Sequence, residues 1–159
     1  MNAPITRSLK YAALSAALAA LGTTAAAAQA PKQTIMPQDA EALAFQEAVG
    51  YSDAVIANGM IYLSGVVAVP REGEENMAPA FTRAFEALGR TLKRAGASWD
   101  DVVSFDTYHT DLAGQLDEFV TVKNRYIKPP FPAWTALGIS SLYEPEGLVE
   151  IKITARAPE

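Results

Sequence analysis

The chain has 159 residues, half of them hydrophobic and 19% charged, proportions that fit one globular domain and are too apolar for a disordered chain. Its 13 basic and 18 acidic residues leave a net charge of −5, which argues against the general electrostatic attraction on which nucleic-acid binding relies. The absence of cysteine excludes a disulfide framework, thiolate metal sites and cysteine nucleophiles, and the lone histidine, His109, cannot supply a two-histidine metal motif.

Residues 1–30 carry only Arg7 and Lys10 as charges, an Ala/Leu run from Tyr11 to Leu21, and the small-x-small sequence Ala28-Gln29-Ala30. Basic start, short apolar run and small-residue cleavage site together read as a secretory signal peptide, with an alanine-rich cytosolic helix or an organelle transit peptide as the alternative. The run is too short for a membrane span, and without cysteine there is no lipoprotein anchor. Cleavage after residue 30 leaves 129 residues with 11 basic and 18 acidic groups, and predicts a secreted, periplasmic protein free of the membrane.

Residues 31–43 are polar, with two prolines and no periodicity, and read as a mobile lead-in; residues 44–159 form the expected domain. Residues 53–57 and 60–67 are strand-like runs flanking Asn58-Gly59, a pair that tolerates the positive φ of a type I′ hairpin turn. After a charged loop at 70–75, Met77, Phe81, Ala84, Phe85, Leu88 and Leu92 step by three and four along one helical face, with Lys93 and Arg94 near its C-terminal end and Gly96 as an αL cap. Residues 102–110 alternate as a strand, with Val103, Phe105, Thr107 and His109 on one side. Leu116, Phe119, Val120, Lys123, Tyr126 and Ile127 have helical spacing that Pro129-Pro130 ends. Residues 133–140 and 148–155 close the chain as strands. The order β-β-α-β-α-β-β, with a possible extra strand at 45–49, predicts an α+β domain with two helices on one face of a mixed sheet.

Strand parity places Val149, Ile151, Ile153 and Ala155 on an apolar face and Glu150 and Lys152 opposite. In the preceding strand, putting Leu137 and Ile139 under the helices sends Trp134, Ala136 and Gly138 to the open face, beside Glu150. An indole there needs a cover, which argues for a neighbouring subunit or a ligand.

Gly50-Tyr51-Ser52, the hairpin end Ser64-Gly65, Gly96-Ala97, Phe131-Pro132-Ala133, Leu142 and Val149-Glu150-Ile151 resemble the RidA/YjgF family of reactive-intermediate deaminases across almost the whole of residues 31–159. The resemblance implies a chorismate-mutase-like α+β fold, assembled as a homotrimeric barrel with small-molecule pockets in the inter-subunit clefts and no cofactor or metal. It implies Glu150 and Tyr51 as catalytic residues, and Ser64, Gly65, Trp134 and Ala136 as substrate-binding ones. Family members that hydrolyse enamines and imines such as 2-aminoacrylate hold the substrate carboxylate with an arginine, where this chain has Trp134. An indole offers one donor and no charge, so the usual 2-imino acids lose that anchor. Val66, Lys123 and Ala136 also depart from the residues common in the family, which often has glutamine, asparagine and cysteine there.

Each candidate also has a plain structural reading: a Glu150–Lys152 ion pair or a trimer-contact carboxylate, a half-buried Tyr51, a Ser64 hydroxyl bonded near a strand end. His109 lacks a partner motif and is read as a core residue, and the acidic loop of Glu72, Glu74 and Glu75 lacks calcium-loop spacing. The family has also been described as endoribonucleases, but the acidic chain lacks phosphate-clamping cations among its candidates. The functional expectation is a deaminase-type hydrolase of C=N or enamine C–N bonds, acting on a ligand less acidic than a 2-imino acid. The alternative is a non-catalytic ligand-binding or holdase-like protein on the same scaffold.

Overall fold

The computed structural model describes residues 31–158; the signal-peptide expectation for residues 1–30 lies outside the described residues. The elements are β1 (Gln33–Ile35), α1 (Ala40–Val49), β2 (Ala54–Ala57), β3 (Met60–Leu63), β4 (Val66–Ala68), α2 (Ala78–Arg94), a 3-10 turn at Trp99–Asp101, β5 (Val102–His109), α3 (Leu112–Tyr126), β6 (Ala133–Gly138) and β7 (Val149–Arg156). The strands form one sheet in the order β1-β2-β3-β7-β5-β6, with β4 also paired to β7. Only β5 and β6 are parallel; α3 makes the crossover between them.

The expected hairpin forms because Asn58 (φ 52°) and Gly59 (φ 73°) both take the left-handed conformation a type I′ turn demands. The single run 60–67 is interrupted at Ser64-Gly65: β3 pairs with the C-terminal half of β7, and β4 with its N-terminal half. Residues 31–43, expected to lack regular structure, carry β1 and the first turn of α1. The proposed strand at 45–49 is the end of that helix. Asp39 caps it by accepting from the Glu41 and Ala42 amides (3.1 and 2.9 Å), and Gly50 ends it at φ 89°.

The core lies between one sheet face and the helices α2 and α3. Phe81, Phe85, Leu88 and Leu92 of α2 and Phe119 and Val122 of α3 are fully buried against Ile61, Leu63, Phe105, Ile151 and Ile153. An aromatic cluster knits the layers: Phe85 stacks on Tyr126 (5.0 Å between centroids, 6° between planes) and lies 5.6 Å from Phe119 and 5.7 Å from Trp99. Val103, which the alternation places on the same side as the buried Phe105, is 38% exposed, because a bulge between Val102 and Ser104 shifts the register and turns Val102 inward instead.

The acidic loop before α2 is tied down rather than free. Arg83 binds the Glu74 carboxylate with both terminal nitrogens and donates to the Val69 carbonyl (2.7 Å), while the Arg71 amide donates to Glu74 Oε2 (2.8 Å). The Arg83 hydrogen bond, then the Arg71 amide, lower the Glu74 carboxyl from its ordinary 4.5 to about 2. A depressed carboxyl stabilises the fold fully above its unfolded value and loses that contribution as pH falls from 4.5 through about 2. A carbon-detected NMR titration is expected to show Glu74 still ionised at pH 3, and Arg83→Met to return its midpoint to the ordinary range.

Candidate active-site groove

Four of the six residues singled out in the sequence meet in one groove. Tyr51, Ser64, Gly65 and Glu150 line a depression of about 560 Å3, together with Phe45 and Val49 from α1 and Tyr143 from the loop before β7. Glu150 reaches it because β7 alternates: Val149, Ile151 and Ile153 are buried under the helices, and the residue between the first two points the other way. Gly65 sits in the break between β3 and β4, directly under the carboxylate. A Cβ placed on Gly65 would lie 1.8 Å from Glu150 Oε1, so only glycine lets the carboxylate occupy this position.

Glu150 has no ion pair with Lys152, and no hydrogen-bond partner is found for its carboxylate among the described residues. The plain salt-bridge reading therefore fails, and a half-buried carboxylate faces the groove unengaged. Ser64 Oγ donates to the Ser52 carbonyl (2.6 Å), so its proton is committed and its oxygen is left to accept. Tyr51 is 41% exposed, meets Phe45 edge to face at 6.4 Å and lines the groove. The apolar walls of Phe45, Val49 and Tyr143 carried no clear sequence signal, because none belongs to a buried periodic face.

Trp134 and Ala136 lie elsewhere, and the expected face of β6 is reversed. β5 and β6 pair Phe105 with Trp134 and Thr107 with Ala136, so Trp134 and Ala136 point to the helix-covered side with Phe105 and Thr107. Glu150 pairs with Tyr108 and points to the other side. Within one chain they cannot share a site. The indole lies nearly parallel to Phe105 (5.1 Å, 11°), 6.1 Å from Phe119, and its Nε1 donates to Thr107 Oγ1 (3.1 Å). Trp134 still keeps 36% of its surface exposed, and Leu137 is left 48% exposed on the open face.

His109 is fully buried, with Nε2 3.0 Å from Thr107 Oγ1 and its ring edge on Phe119. Burial pushes its pKa down, so at neutral pH it is an uncharged core residue out of a ligand's reach. Among the described residues no cluster of His, Cys, Asp and Glu could hold a metal ion.

A mixed sheet backed by two helices, broken at Ser64-Gly65 beneath a carboxylate from the last strand, defines an α+β domain with a candidate groove on the sheet. Residues 41–157 match the family model described as Endoribonuclease L-PSP. The chain belongs to this family, the RidA/YjgF proteins. It is 36% identical over 112 residues to the RutC family protein YjgH of Escherichia coli, covering 69% of this chain and 84% of that one. The solved structure of protein YjgH superposes with a TM-score of 0.68 at 32% identity, over 80% of this chain and 98% of that one. A more distant relative, the chloroplastic Reactive Intermediate Deaminase A of Arabidopsis thaliana, is 31% identical over 99 residues, which span 58% of this chain and about half (51%) of that protein.

Proposed function

We propose that the groove hydrolyses a small enamine or imine. The observation that carries this reading is the unpaired Glu150 carboxylate seated on Gly65, with Tyr51 and Ser64 lining the same depression. Glu150 takes a proton from a water as its oxygen attacks the C=N carbon, giving a tetrahedral carbinolamine. That proton passes to nitrogen, Glu150 then takes the carbinol O–H proton and relays it to nitrogen as the C–N bond breaks, and one imine plus one water yield a carbonyl compound and ammonia; an enamine enters the same path once protonation at its β-carbon has made it the imine. Tyr51 orients the nitrogen end of the ligand, and Ser64 accepts a hydrogen bond from it. The deaminase name of the Arabidopsis relative supports this chemistry.

The working unit in this reading is a homotrimer. Tyr62 (47% exposed) and Leu137 lie on the helix-free sheet face, which a second copy would cover. Since Trp134 and Ala136 point away from Glu150 within a chain, only a cleft between subunits can bring them to one ligand. Light scattering is expected to give three times the subunit mass; a single subunit mass defeats the assembly. Export to the periplasm, with cleavage near Ala30, completes the proposal, and N-terminal sequencing of the periplasmic form is expected to begin near Pro31.

Ammonia release from freshly generated 2-aminoacrylate and from uncharged imines tests the activity. The wild type is expected to turn over at least one of them, and Glu150→Gln to lose about 100-fold or more. Ligand binding without ammonia release from any of them instead favours a non-catalytic role. The exposed Phe45, Val49 and Tyr143 give that role a physical basis in apolar binding, which suppression of aggregation of an unfolded client would detect.

A further inference from the structure

The groove between α1 and β7 carries a second carboxylate, Glu144, beside that of Glu150, and among the described residues no lysine, arginine or histidine lines it. Neither carboxylate has an ion-pair partner or a side-chain hydrogen bond among the described residues. Lys152, on the same face of β7 as Glu150, does not line the groove. The charge a ligand meets there is therefore negative.

The aromatic walls act in the same direction. Phe45, Tyr51 and Tyr143 are 48%, 41% and 83% exposed, so all three rings are open to a guest. The face of an aromatic ring carries negative potential, which attracts a cation and repels a carboxylate. Acidic side chains on an open surface are simply hydrated, but Glu150 is half-buried over Gly65, in a depression whose volume of about 560 Å3 admits a molecule with a single ring. In the trimeric reading a neighbouring copy adds one more uncharged ring, Trp134, with Lys123 close behind it at 9% exposure.

We propose that the groove selects a cation: a protonated imine on a small apolar body that bears no carboxylate, its charge between Glu144 and Glu150 and its body against Phe45, Tyr51 and Tyr143. This names the substrate class of the groove and rests on the reading of that groove as the ligand site. A protonated C=N bond is a better electrophile than a neutral one, so the form that the carboxylates attract is also the form that water attacks. Charge is conserved, since one iminium ion and one water give one carbonyl compound and one ammonium ion.

Benzamidinium, benzamide and benzoate share one shape and differ in charge, and benzamidinium is a stable mimic of a C=NH2+ group. Their binding is read by NMR of the tyrosine ring signals of the full protein, with Tyr51→Phe and Tyr143→Phe to assign them. Benzamidinium is expected to shift both signals saturably and to bind about tenfold more tightly than benzamide, with benzoate weakest. Glu144→Gln is expected to shrink that preference, and Glu144→Gln with Glu150→Gln to erase it. Should the double variant not fold, added salt is expected to weaken benzamidinium and spare benzamide in the wild type. Equal affinity for benzamidinium and benzamide, tyrosine signals that do not move, or a preference that survives loss of both carboxylates each overturns the proposal. So does tightest binding of benzoate, the result a dominant Lys123 from the neighbouring copy would give. Charge-selective binding of benzamidinium without ammonia release from any imine would sink only the hydrolytic reading, and ammonia release without that selectivity would sink only this one.

Discussion

Gly65→Ala is expected to abolish imine hydrolysis as completely as Glu150→Gln, a loss of about 100-fold or more, while leaving the protein folded. The added methyl group would fall 1.8 Å from Glu150 Oε1 and 2.6 Å from its Cδ, far inside any contact distance. The atoms it meets belong to the end of a flexible side chain. The carboxylate therefore swings out of the groove instead of the backbone moving, and the stability cost stays within about 1 kcal/mol. A double-mutant cycle separates this from general damage. If Gly65 acts by seating Glu150, adding Gly65→Ala to Glu150→Gln costs little more activity, whereas two independent full losses would show that the glycine matters for another reason.

The largest effect on stability is expected from Phe85→Ala. Phe85 is fully buried and is the hub at which α2, α3 and the 3-10 turn meet, touching Tyr126, Phe119 and Trp99. Truncation removes apolar burial and leaves a cavity whose rigid aromatic neighbours cannot collapse into it. The expected cost is about 3–5 kcal/mol, which for a domain of this size lowers Tm by about 10–20 °C. Phe85→Leu, which refills most of the space, is expected to recover more than half of that in the same thermal melts. A cost below 1 kcal/mol for alanine would show that the cluster is not the centre of the core.

The parts of this fold that were legible in sequence are those decided within a few residues. Asn58-Gly59 announces its turn because both positions must hold positive φ, and α2 announces itself because Phe81, Phe85, Leu88 and Leu92 recur on one face. The helix α1 was hidden although both caps, Asp39 and Gly50, stand in the sequence, because it buries only Gln46 and so has no apolar stripe. Parity identified correctly which residues of β6 share a side, but not which side α3 covers. That depends on the parallel register of Phe105 with Trp134, set by strands separated by a helix. Tyr51, Ser64, Gly65 and Glu150 were legible as a group through family resemblance, whereas the closeness of Gly65 to the carboxylate is a property of the folded chain.

The attachment of α1 sets how the groove behaves in time. Where α2 and α3 are held by aromatic packing, α1 is moored through polar groups: Gln46 Nε2 donates to Asp53 Oδ1 (2.7 Å), and Asp53 Oδ2 accepts from Arg94 (2.8 Å), whose other nitrogen donates to the Met36 carbonyl. Such a mooring near the surface is weakened by salt and is worth far less than the core. The α1 amides are therefore expected to exchange hydrogen through a partial opening that leaves β7 protected, and to do so faster in Asp53→Asn. One bank of the groove is sheet held by the core, and the bank bearing Phe45 and Val49 is expected to open and close, so a ligand pressed between them would be bound in part by holding that helix in place.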